Sequence, residues 1–254
     1  MVFSLQDLYT WDTFTWEDNV AIFLYAVAWY ITIFSFSRLY ILDVKKLSCV
    51  ITLANSFLMT LIGFMHIIAS MVIGLNIFSP VVEQEDMIIL FFSGRSNFTS
   101  SICSIIAAAN AMDLIFGFLF YRKYLKFLTS YVHHVTKIWI MYYAITGNGI
   151  VFSASSAFAN ALMWLLIEEL PTFIAAFGTI FPSFRSDIGF GLTLFMSRVV
   201  LHSHLLLQII MKFAAGVCPL IVKWYYSILL FINLKVLYNW CAQLGKATRK
   251  KRKG

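Results

Sequence analysis

Charge is what this sequence has least of. Asp, Glu, Lys and Arg make up only 12% of its 254 residues, about half the roughly 25% of an ordinary soluble domain. So few charges cannot coat a water-facing surface, which excludes a soluble globular fold. Cysteine is scarce as well, with four in all. Cys49, Cys103, Cys218 and Cys241 show no CxxC spacing, so neither a disulfide framework nor a zinc site is expected. Cys241 follows the last apolar run, where palmitoylation is the functional reading and a small juxtamembrane side chain the plain one. Histidine numbers five, too few for the His boxes of a membrane di-iron hydroxylase or desaturase. His202-Ser203-His204 puts its rings on different helix faces, a poor metal pair. The NPxxY and D/E-R-Y signatures of seven-span receptors are absent. The first 19 residues hold Asp7, Asp12, Glu17 and Asp18 and no Lys or Arg. That is the reverse of a signal or transit peptide, so the first span is expected to act as the insertion signal.

What is abundant is apolar. Hydrophobic residues reach 61%, aromatics 17% with 25 Phe, and mean hydropathy is +0.82. Apolar stretches of about 20 residues point to an all-α, polytopic helical bundle. About seven spans are expected, over residues 20–40, 47–78, 100–121, 127–146, 151–181, 188–211 and 217–238. The fifth is too long for a straight crossing and carries Pro171, so a kink or break is expected there. Met87–Phe92 is apolar but too short to cross, and is expected at the interface.

Basic residues fix the orientation, because Lys and Arg are retained on the cytoplasmic side. They cluster in alternate connections, Arg38/Lys45/Lys46, Arg122/Lys123/Lys126 and Arg185, and in the tail KATRKKRKG, which has six. All fall on one side if the N-terminus is lumenal and the C-terminus cytoplasmic. The sequon Asn97-Phe98-Thr99 then lies outside. The expected organisation is an acidic lumenal segment (1–19), a first span (20–44), a transmembrane domain (45–240) and a basic cytoplasmic tail (241–254).

Ionisable groups inside spans cost about 2.5–3.5 kcal/mol each and usually face a cavity. Here they are Asp113, His133, His134, Lys137, Glu168, Glu169 and Arg198, with His66, His202 and His204 as polar partners. Lys235 lies near a span end and can snorkel. Asp113 stands eight residues before the third span ends, about 12 Å of helix, and His133 six residues into the fourth, about 9 Å. Arg198 and His202, four apart, share a face. Four helices thus offer ionisable groups at one depth, and a shared polar cavity open to the cytosol is expected. Any one of these groups alone reads as an inter-helix hydrogen bond, typically about 0.6 kcal/mol. The His pair with Asp113 and the Glu pair reads as a site, since imidazole beside carboxylate suits a general base or nucleophile for acyl transfer. Lys137, one turn beyond His133, is expected to pair with Asp113 or a Glu, or to disfavour protonation of His133 from i+4.

Asp113-Leu114, Tyr131-Val132-His133-His134 and Glu168-Glu169-Leu170-Pro171-Thr172, in that order, resemble the TLC-domain family. Its name joins the translocating-chain-associating, longevity-assurance (ceramide synthase) and ceroid lipofuscinosis proteins. The resemblance covers roughly residues 45–240 and is nearer the TLC-domain-containing branch than strict ceramide synthases. No HDxxD-like segment follows His134; the next carboxylates are Glu168 and Glu169, 34 and 35 residues on. The resemblance implies a lipid-homeostasis protein of the endoplasmic reticulum, the tail being similar to a dibasic retrieval signal. It implies an acyl-CoA-dependent acyltransferase related to ceramide synthesis. His133 and His134 would then be base or nucleophile, and Asp113 and Glu169 the orienting carboxylates. Arg198, His202, Glu168 and Lys137 would contact substrate. Acyl-CoA would be co-substrate, with a sphingoid or other lipid amine as acceptor; no metal, other cofactor or nucleic-acid partner is expected. The alternative is a non-enzymatic lipid-binding or cargo-escort protein using the same cavity, and a weaker third is a transporter with a proton relay.

Overall fold

The computed structural model describes residues 15–72, 97–125, 127–146, 163, 165–212 and 220–251. Among the described residues the chain is helical with no strand. Five helices are long and apolar enough to cross a membrane: Trp16–Tyr40, Val44–Ile68, Asn97–Phe120, Asp187–Leu207 and Trp224–Leu244. The chain is a multi-pass membrane protein.

Helix α1 (Trp16–Tyr40) starts where Thr15 and Asp18 close a reciprocal cap. Thr15 N–H donates to Asp18 Oδ2 at 2.8 Å, and Asp18 N–H donates to Thr15 Oγ1 at 3.2 Å, which satisfies two orphan donors. Only 17% of its most apolar window is buried, so its remaining apolar surface is left for lipid. Asn19, Ala26, Tyr30 and Phe34 are its buried residues. Tyr30 OH donates to Asn55 Oδ1 at 3.3 Å, and the Phe34 ring stacks on Phe116 at 4.1 Å. A single turn, α2 (Val44–Leu47), leads into α3 (Val50–Val72).

Helix α4 (Asn97–Phe120) is the centre of the bundle, with 67% of its window buried. Ala107, Ala108 and Ala109 lie along it, and small residues let helices approach where no hydrophobic effect drives association. One face joins Tyr30, Phe34, Ile51 and Met112 in a core under α1. Another joins Met59, Ile140, Met141 and Tyr226 in a second core. A turn at Arg122–Tyr124 follows, then a π-helical turn at Phe127–Val132 running into α5 (His133–Thr146), which packs on α4.

The expected break in the fifth span is a change of helix type. A 3₁₀ turn, Leu166–Glu169, passes into α6 (Leu170–Ile180) with Pro171 in the first helical turn, where its missing N–H costs nothing. Helix α3 presses on that turn at Gly63, where a Cβ would lie 2.8 Å from the Ile167 backbone nitrogen. Helix α7 (Asp187–Phe195), a π-helical turn (Met196–Leu201) and α8 (His202–Lys212) follow without a break. The last helix, α9 (Leu220–Lys251), runs 32 residues straight through the expected boundary at 240.

Residues 127–146 are helical as expected, yet are not among the five apolar crossings, because His133, His134 and Lys137 interrupt them. Much of the 151–181 span, Met87–Phe92 and Cys218 lie outside the described residues.

Candidate functional site

Asp113 and Asn110 stand three apart on α4 and so share a face. The Asp113 carboxylate is anchored from below, because Tyr121 OH donates to Oδ1 at 2.5 Å. Tyr121 reaches it because the chain folds back tightly after α4, with Leu125 seated where a Cβ on Gly117 would stand. Asn110 donates from Nδ2 to the Ile106 carbonyl at 2.7 Å, which turns its Oδ1 towards α5.

His134 meets both. Its Nδ1 lies 2.5 Å from Asn110 Oδ1 and its Nε2 3.2 Å from Asp113 Oδ2. An amide oxygen and a carboxylate only accept, so each offers the ring a place for an N–H. His202, fully buried on α8, repeats the pattern. Its Nδ1 lies 2.5 Å from Glu168 Oε1, and Nε2 donates to the Tyr226 carbonyl at 2.8 Å. Asn233 Nδ2 completes that group, donating to Glu168 Oε2 at 3.4 Å.

His133 is held differently. Its Nδ1 is buried and has no hydrogen-bond partner among the described residues. Its ring meets that of His134 edge-on at 5.8 Å. Adjacent residues on a helix do not face each other, so the His134 ring turns to α4 while His133 lines the cavity with Lys137, Glu169 and Arg198.

The two Glu side chains part for a related reason. Successive residues of a 3₁₀ turn point about 120° apart. Glu168 faces His202, while Glu169 faces Lys137, whose Nζ donates to Oε1. Lys137, the least explained residue in the sequence, therefore pairs with a Glu. Arg198 ties the corner together. Its Nε donates to the Glu168 carbonyl at 2.7 Å, an Nη to Thr172 Oγ1, and the same Nη lies 3.9 Å from Glu169 Oε2. Both π-helical turns lie here, one directly before His133 and one containing Arg198. Such turns gather at functional sites.

A cavity of about 280 Å³ lies among these groups, lined by Asp113, His133, His134, Lys137, Glu169 and Arg198 together with Asn110, Thr52, Asn55 and Tyr124. On the far side of His133 a narrower void of about 40 Å³ is walled by Met59, Ile106, Met141, Leu166 and Leu229. His133, Lys137, Glu169 and Arg198 border both spaces. Six of the eight sequence-selected residues thus share the larger cavity. Glu168 borders only the narrow void and His202 neither, so both stand behind the wall. Among the described residues no group of three or more His, Cys, Asp or Glu could hold a metal ion.

Sequence reading missed Asn110, Tyr121, Thr172 and Asn233. Three had a usable signal: Asn110 precedes Asp113 by three, Thr172 follows Pro171, and Asn233 is an amide inside a span. No protein-family model matches the chain, and no curated protein or solved structure matches it significantly.

Proposed function

We propose that the chain is a membrane-embedded acyltransferase that takes a fatty acyl group from acyl-CoA, with His133 as the reacting group. One observation carries this reading: the His133 Nδ1 is buried without a partner, and His133 borders both a polar cavity and a narrow, largely apolar void. His134 and His202 have both nitrogens engaged. A thioester carbonyl at that junction has only the first methylenes of its chain in the narrow void and its polar part in the cavity.

In general-base form, His133 takes the proton from the acceptor amine or hydroxyl as it attacks the thioester carbonyl. The tetrahedral intermediate expels the thiolate, and His133 returns the proton to sulfur. The products are the acylated acceptor and free CoA thiol, and the base is restored. The His134 ring, held by Asp113 and Asn110, fixes the turn of helix that carries His133. Lys137 and Arg198 offer cations for an anionic part of either substrate.

A cytosolic tail side, as the basic residues suggest, suits this reading, because acyl-CoA is a cytosolic amphiphile. The resemblance to TLC-domain proteins supports a lipid acceptor, and the basic tail supports the endoplasmic reticulum. The test is lipidomics of null cells rescued with wild type or His133→Ala at matched protein level. Failure of the variant to restore the wild-type lipid profile is expected. Full restoration would leave the non-enzymatic lipid-binding alternative.

A further inference from the structure

A second and larger cavity, about 430 Å³, opens between the end of α6, the turn into α7 and the far part of α9. None of the candidate-site groups borders it. Its volume lies within the range of about 300–1,000 Å³ typical of small-molecule sites. Two glycines allow close packing beside it. A Cβ on Gly178 would stand 3.1 Å from the Arg185 Cα, and one on Gly191 would run into the Trp240 ring at 2.0 Å.

Its polar lining is rich in donors. Arg185 spends only Nε, on Asp187 Oδ1 at 2.9 Å. Both its Nη groups, the Trp240 indole N–H and the Gln243 amide have no protein partner among the described residues. Beside them Ile174, Phe190 and Leu244 form an apolar wall. Arg185 is 68% exposed and Trp240 lies near a span end, the level at which basic and aromatic residues meet lipid headgroups. Asp187 offsets one charge, but α9 continues past the cavity to Lys251, bringing Lys246, Arg249, Lys250 and Lys251 along the same helix within about two turns. Basic residues beside a membrane attract anionic lipid, each contributing about 1 kcal/mol.

We propose that this cavity binds the phosphate head of an anionic phospholipid from the leaflet on the tail side, with Arg185, Trp240 and Gln243 as its donors. The site is independent of the chemistry assigned to His133.

Native mass spectrometry of the full-length protein, loaded with equimolar dioleoyl phosphatidic acid and dioleoyl phosphatidylcholine, tests it. One phosphatidic acid retained in preference to phosphatidylcholine is expected. Arg185→Gln should weaken retention about tenfold, the size of a lost charge-assisted hydrogen bond. Trp240→Phe keeps the ring over Gly191 but removes the N–H, and should weaken retention several-fold at unchanged melting temperature. His133→Ala should retain the lipid like wild type. Equal retention of the two lipids, or wild-type retention by Arg185→Gln, overturns the proposal. Displacement by millimolar inorganic phosphate would assign the site to a free anion and overturn the lipid.

Discussion

Lys137 and Glu169 form a partly buried ion pair beside the cavity, with side chains 16% and 11% exposed. Removing one partner of such a pair strands the other charge, which costs about 3–5 kcal/mol. Glu169→Leu alone should therefore destabilise the protein strongly in a detergent unfolding assay. The double replacement Lys137→Met with Glu169→Leu should recover most of that loss. Glu168 and His202 are bound together more deeply, and Glu168→Leu should cost a similar amount without altering cavity chemistry directly. The single His133→Gln change should cost less in the same assay, because Nδ1 has no partner to lose among the described residues.

Helices set how far such groups can be brought together. Gly63 lets α3 approach the 3₁₀ turn that aims Glu168 and Glu169. Gly63→Ala drives a methyl against backbone and should cost about 1–3 kcal/mol, the range for overpacking. It should also lower any activity more than Gly178→Ala, whose contact lies near the second cavity. Much of this layout was legible in the sequence: Asp113 deep in one span, His133 and His134 in the next helix, and Arg198 one turn from His202. Asn110 was equally accessible through its spacing of three from Asp113. What could not be read was helix type. The two π-helical turns have no composition of their own, and each changes the register of the residues that follow. Nothing local declares that Leu166–Glu169 winds as 3₁₀, so Glu168 and Glu169 read as one wall although they face different partners.

At the scale of the molecule, the apolar surplus and the scarcity of charge lead directly to a multi-pass helical bundle. The number of crossings is harder, because polar residues that build a cavity lower the hydropathy of the helix carrying them. Residues 127–146 show this: they are helical but less apolar than the five crossings. The proposed topology predicts that cysteines placed at Lys123 and at Arg249 react with an impermeant thiol reagent from the cytosolic side only. Labelling of either from the lumenal side would reverse the orientation. The most direct test of the central claim measures CoA thiol release by the purified protein in nanodiscs, supplied with long-chain acyl-CoA and a lipid amine. Loss of a positioned general base removes about 10²–10⁴-fold in rate. His133→Gln should lose that much while keeping the wild-type melting temperature, and His202→Gln should fall chiefly in stability. Wild-type turnover by a folded His133→Gln protein would contradict the assignment.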